Sequence, residues 1–356
     1  MRRALVALAA LLVIVACVTA NRPPPAPSVQ PLGDPAIELI VTPSPDGHGP
    51  FLRAIAAAKT SIAMTMFHLT DTEVVTALVA AAGRGVAVRV IVDGKSLAAR
   101  ANREAAEALR AGGVTVRGSS PAFAITHEKA MVVDGELALV TAINLTRDAD
   151  RTRDLGIATR DRAVVAGVAA LFEADWHNAE ARGRATPALA APSLIVAPTT
   201  ARGRLLALIG SARHTLILTV ENLGDAAIVR ALADAASRGV AVRVIVPLCD
   251  KNPDPLYDLP AARRLAAAGV AARVMPPPES ADTPYMHSKM IQVDDAATYI
   301  GSVNFSASSL DKSRELGIIV AEPRVAAQVE AVFEADWAHA IAPPAPAEAA
   351  CHRGAE

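Results

Sequence analysis

Two stretches of the sequence carry the same reactive side chains in the same order. Residues 125–146, ITHEKAMVVDGELALVTAINLT, set His127 two places before Lys129, Asp134 five after the lysine and Asn144 ten after that. Residues 286–306, MHSKMIQVDDAATYIGSVNFS, repeat the pattern with His287, Lys289, Asp294 and Asn304. An extended strand directs alternate side chains to one face, so each histidine shares a face with its lysine. Asp134-Gly135 and Asp294-Asp295 read as hairpin turns that return Asn144 and Asn304 toward their own His/Lys pair. Such a set suits a phosphodiester. Lysines and amides neutralise the anion without a metal, while imidazoles in two different surroundings serve as nucleophile and as acid near neutral pH. One HxK pair is a weak signal; HxKx4Dx9N twice at identical internal spacing is a strong one.

The elements around these motifs are also duplicated. GRGVAVRVIVD (83–93) matches SRGVAVRVIVP (237–247) and SIAMTMFHLTD (61–71) matches TLILTVENLGD (215–225), whereas RDLGI (153–157) pairs with RELGI (314–318) and FEADW (172–176) with FEADW (333–337). The offset grows because the second copy carries a proline-broken insertion at 251–258. Periodicity predicts helices over 51–58, 72–83, 101–111 and 161–178 and strands over 61–67, 86–92, 114–117 and 155–160, around a motif strand and its hairpin partner. This alternation implies an α/β sandwich with a mixed sheet in each half, the first repeat spanning 36–185 and the second 186–341. His68 and Asn222 occupy equivalent positions after the first strand, suited to lining a pocket or capping a helix. Trp176 and Trp337 read as helix residues packed into each half's core.

The doubled motif resembles the phospholipase D superfamily, whose HxKx4D signature occurs twice per active site; the resemblance covers about residues 36–340. It implies one active site at a pseudo-twofold interface between the halves. By resemblance His127 attacks phosphorus to form a phosphohistidine and His287 protonates the leaving oxygen, with Lys129, Lys289, Asn144, Asn304 and Ser302 holding phosphoryl oxygens. It also implies that Asp154 and Glu315, in RDLGI and RELGI, support catalytic histidines, Glu315 being the candidate partner of His287. Asp134 and Asp294, ending their strands, read as supporting residues of a structural kind. The first copy departs from the pattern by having Ala142 where the second has Ser302.

Composition narrows the substrate. The 356 residues are 52% apolar and 20% charged with a formal net charge of −1, which supplies no basic field for a polyanion, and at 3% aromatic the chain offers few stacking platforms for bases. Nucleic acid is therefore disfavoured as a partner and a phospholipid at a membrane surface favoured. A secreted endonuclease of the same superfamily and a non-catalytic lipid-binding protein are the alternatives. Residues 1–20, MRRALVALAALLVIVACVTA, have the layout of a secretory signal, with either a lipobox acylated at Cys17 or ordinary cleavage after Ala20. Residues 21–35 read as a proline-rich tether and 342–356 as a disordered tail. The expected location is thus the periplasm, a membrane-anchored lipoprotein or the medium. Three cysteines make no disulfide framework; Cys249 reads as a core thiol and Cys351 as part of the tail. No ligand-spaced cluster implies a metal or cofactor, and two motifs in one chain imply a monomer.

Overall fold

Both copies of the repeat build the same succession of elements in the computed structural model. It describes residues 37–351 except 148–150, 190, 252–253, 278–279, 281 and 350. The leader, Cys17 and the tether lie outside the described residues. The first half contains β1 (Ile37–Thr42), α1 (Gly49–Ala57), β2 (Ser61–Met66), α2 (Thr72–Gly83), β3 (Ala87–Val92), α3 (Arg100–Ala111), β4 (Thr115–Gly118), β5 (Ala130–Val133), β6 (Leu137–Thr141), β7 (Thr152–Thr159) and α4 (Arg162–Ala181). The second contains β8 (Leu194–Ala197), α5 (Ala201–Ser211), β9 (Thr215–Thr219), α6 (Ala226–Ser237), β10 (Ala241–Pro247), α7 (Leu259–Ala267), β11 (Ala271–Met275), β12 (Tyr285–Met286), β13 (Met290–Val293), β14 (Ala297–Gly301), α8 (Ala307–Lys312), β15 (Glu315–Val320) and α9 (Pro323–His339).

Local chemistry sets these boundaries identically in the two copies. Asp71 caps α2 by accepting from the amides of Glu73 and Val74, and Asp225 caps α6 through Ala227 and Ile228. The glycine of each RGVAVRV stretch, Gly85 or Gly239, follows its helix with φ of +89° or +90°, a conformation that lets the chain turn straight into the next strand. The valine- and isoleucine-rich strands β3 and β10 are buried along most of their length, as β-branched runs in parallel pairing require.

The result is one mixed sheet per half. In the first, β2, β3 and β4 are parallel, while β5, β6, β7 and β1 continue antiparallel. In the second, β9, β10 and β11 are parallel and β13, β14, β15 and β8 antiparallel. A central apolar cluster joins the halves, with Val140, Ile157 and Leu171 packed in the same core as Ile300, Ile318 and Phe333. Two further clusters fill the space between each sheet and its outer helices. Among the described residues no helix is long and apolar enough to cross a membrane.

Three expectations change. First, β1, at the start of the first repeat, is an additional strand paired with β7. Second, the regular strand after each motif begins only at Ala130 or Met290, because the motif backbone leaves its own sheet to pair with the other half. The amide of His127 bonds the carbonyl of Arg314 at 2.8 Å, that of His287 bonds the carbonyl of Arg153 at 3.2 Å, and β12 runs parallel to β7. Third, the end of the chain is placed rather than disordered over its described part. Ile341 pairs with Val274, Arg263 donates to the carbonyl of Pro344, and Cys351 forms a disulfide with Cys249. The two cysteines are 102 residues apart, a separation with no spacing signature, so neither is a free thiol and the sequence alone did not pair them.

Candidate active site

The crossing of the motif segments brings both histidines to one pocket of about 520 Å³, lined by His127, His287, Asn144, Asn304, Asp154 and Glu315. The two imidazole centroids are 6.3 Å apart. Nδ1 of His127 lies 2.9 Å from Oε2 of Glu315, and Nδ1 of His287 lies 2.8 Å from Oδ1 of Asp154. Each carboxylate thus serves the histidine of the opposite half. Glu315 was expected beside His287 and instead holds His127, because β12 pairs with β7, which carries Asp154, while the segment before β5 pairs with the backbone at Arg314. An Nδ1–H donated to a carboxylate leaves Nε2 as the ring nitrogen presented to the pocket.

A second crossed pair lies behind the first. Arg153 makes two bonds of 2.8 Å to Asp336, and Arg314 reaches Asp175 at 2.9 Å. The aspartates belong to the two FEADW segments, so the arginines next to Asp154 and Glu315 each bind the opposite half's helix. Bidentate guanidinium–carboxylate geometry suits such buried pairs. The tryptophans of these segments are half-buried, Trp176 stacking on Phe172 under Arg89 and Arg117, and Trp337 on Phe333 under Arg243 and Arg273.

Lys129 and Lys289 are fully buried, and Nζ of each bonds the carbonyl of its own histidine. Burial pulls the Lys129 ammonium down to about 7. Burial also lowers the His127 imidazole, against the opposing pull of Glu315. Burial would raise the Glu315 carboxyl, but His127, Lys129 and the Ser309 hydroxyl together keep it below the usual range. Asn144 lines the pocket with its Oδ1 buried and unpartnered, whereas Asn304 donates to Glu221 at 3.2 Å.

The serine expected to bind phosphate does not reach the pocket. The Ser302 hydroxyl donates to the carbonyl of Leu316 and accepts from its amide, bracing β14 against β15, and only its own carbonyl touches Nδ1 of His127, at 3.2 Å. Asp134 and Asp294 sit in turns at the far ends of β5 and β13. Asp134 accepts from the amides of Lys59, Thr60 and Ser61 and from the Thr60 hydroxyl. Desolvation would raise its carboxyl, but these bonds together draw it down to about 2. Asp294 does the same for Arg213, His214 and Thr215. His68 and Asn222 both line the pocket, while the helices that follow are capped by the aspartates instead. Burial pushes the His68 imidazole down to about 4.

Among the pocket residues that sequence reasoning missed are Glu221 and Tyr285. Glu221 accepts from Lys289 Nζ at 2.8 Å, and the Tyr285 hydroxyl donates to its other oxygen at 3.1 Å. Burial would raise the Glu221 carboxyl, yet the positive charges of His287 and Lys289 hold it well below the carboxylate range. Its signal was the repeat itself, for Phe67 stands at the matching place in the first copy.

A family model described as cardiolipin synthase, PLD-like domain, matches residues 51–176 and again residues 205–337, most of the chain. The chain belongs to the phospholipase D superfamily. Within that superfamily, cardiolipin synthase A of Pseudomonas aeruginosa is 28% identical over 338 residues, covering 81% of this chain and 64% of that one. Phospholipase D Z of Dictyostelium discoideum is 30% identical over 122 residues, 34% of this chain and 28% of its own. The chain therefore spans less than two thirds of these relatives' lengths. The phosphatidylserine synthase structure from Haemophilus influenzae has a TM-score of 0.64 at 13% identity, covering 86% of this chain and 87% of that one, a likeness of fold.

Proposed function

We propose that the protein is a phospholipid-directed phosphodiesterase or phosphatidyltransferase working through a covalent phosphohistidine. The observation that carries this reading is the facing pair of imidazoles, 6.3 Å apart, each bonded through Nδ1 to a carboxylate of the other half. Nε2 of His127 attacks phosphorus while His287, as imidazolium, gives its Nε2 proton to the departing alkoxide. The neutral His287 then takes a proton from water or an alcohol, whose oxygen displaces His127 from phosphorus. Surroundings favour this division of roles. Burial lowers the His127 imidazole, which suits a nucleophile, and the carboxylates of Asp154 and Glu221 lie 2.8 Å from Nδ1 and 3.4 Å from Nε2 of His287, where they can orient the acid. Lys129, Lys289, Asn144 and Asn304 hold the phosphoryl oxygens.

The lipid assignment draws on the near-neutral charge of the chain and on its cardiolipin synthase-like relatives. Export, with or without a lipid on Cys17, draws on the leader and on the disulfide, which suits an oxidising compartment. The test is purified protein on a panel of phospholipids, with and without a primary alcohol, with and without a chelator, and beside plasmid DNA. Phosphatidic acid or a phosphatidyl alcohol should form at a rate the chelator leaves unchanged; cleavage of DNA alone would overturn the reading.

A further inference from the structure

At one pair of matching pocket positions the first half has Phe67 and the second Glu221. Phe67 lays its ring 4.7 Å from that of His127 and 5.1 Å from Nζ of Lys129. Glu221 places a carboxylate there instead, and a single oxygen, Oε2, gathers the second half's donors: Lys289 Nζ at 2.8 Å, Asn304 Nδ2 at 3.2 Å and His287 Nε2 at 3.4 Å. The Tyr285 hydroxyl holds Oε1 at 3.1 Å, so the group is fixed from both sides.

We infer that Glu221 is a charge-selecting residue, which tunes the pocket to monoanionic phosphodiesters and against dianionic phosphomonoesters and inorganic phosphate. The inference deepens the phosphodiesterase reading and rests on the phosphoryl group binding at these donors. Coulomb energy is proportional to the ligand's charge, so a fixed carboxylate among the donors penalises a dianion twice as much as a monoanion at the same place. The attraction of the lysines doubles for a dianion as well, so Glu221 acts by cancelling most of that advantage, which leaves the dianion's larger cost of losing its water to decide against it. Hydrolysis turns a monoanionic diester into a monoester that acquires a second charge above about pH 6. The same carboxylate that admits the substrate thereby expels the hydrolytic product, whereas a transfer product remains a diester. In the first half, the apolar Phe67 imposes no such term.

Isothermal titration of the full-length protein at pH 8 with orthophosphate and with dimethyl phosphate, the latter checked by phosphorus NMR to be intact afterwards, tests this as binding. The wild-type protein should bind the singly charged diester at least as tightly as the dianion. Glu221→Gln should tighten both, about tenfold for dimethyl phosphate and so about a hundredfold for orthophosphate, by the same proportionality. Equal factors for the two ligands, or no change, would overturn the inference. So would a wild-type protein that already prefers orthophosphate tenfold, a result that needs no folded variant. A protein that keeps the predicted order but turns over no phospholipid would retire the lipid assignment and leave the role of Glu221 standing.

Discussion

Asp154 bonds Nδ1 of His287 across the boundary between the halves, at 2.8 Å, and is separated from it by 133 residues of chain. The mirrored bond from Glu315 to His127 makes the two carboxylates separable probes of the two histidine roles. Asp154→Asn should slow a lipid substrate by roughly a hundredfold or more, the usual scale of acid–base assistance, while sparing the first step, read as the burst of released phenol, with an ester of a good leaving group such as p-nitrophenol. Glu315→Gln should slow both. Parallel assays of each variant on both substrates check this, and identical profiles for the two variants would refute the crossed assignment.

The histidines themselves should divide in the same way. His287→Ala should accumulate phosphoenzyme on His127 with the activated ester, because the step that frees the enzyme has lost its base. His127→Ala should form no covalent species and lose both reactions. Mass spectrometry of acid-sparing digests reads the site; phosphate on His287 in the wild-type protein would invert the roles.

The pH profile follows from burial of His127. Its lowered pKa means that the nucleophile becomes protonated only below the ordinary imidazole range, so the acidic limb of kcat/KM should lie below about pH 6.5. A limb at or above that value in the wild-type protein would count against His127 as the nucleophile.

Asp134 should matter to stability and not to chemistry. Its carboxyl falls from the usual value to about 2 in the folded chain, so its contribution is fully present above about pH 4 and is lost as the pH drops toward 2. Asp134→Ala removes the acceptor of three amides and should cost about 1–3 kcal/mol, read as a fall in Tm at pH 7 that shrinks at pH 2–3. An unchanged Tm would show that the turn does not need it.

Removing the disulfide should loosen the end of the chain. Cys351→Ser should lower stability by about 2–4 kcal/mol, seen in denaturant midpoints, and wild-type protein should show no reactive thiol from Cys249 or Cys351 until reduced. Two free thiols in unreduced protein would contradict the pairing.

Much of this architecture was legible from the repeat. The matched strands and helices, the hairpin turns and the four motif residues of each copy could be placed because periodicity and turn chemistry are local properties. What escaped depended on contacts between distant segments. Nothing in the spacing of RELGI says that Glu315 meets His127, since that follows from β12 and the segment before β5 each changing sheets. The hydroxyl of Ser302 was assigned to phosphate from its neighbourhood in sequence, yet the adjoining strand claims it. Cys249 and Cys351 were likewise unreadable as a pair, and Glu221 was visible only as an exception to the duplication.

The crossed pairing also bears on how such a chain arises. One half alone carries a histidine lacking its carboxylate and a carboxylate lacking its histidine. Those two deficits are complementary, so two identical halves related by a twofold axis would supply both at once. Identical subunits must remain alike at every position, however, and a site between them would have either two phenylalanines or two glutamates where this chain has Phe67 and Glu221. Joining the copies into one polypeptide lifts that restriction: it allows the two sides of the pocket to differ, an aromatic ring against one histidine and a carboxylate against the other.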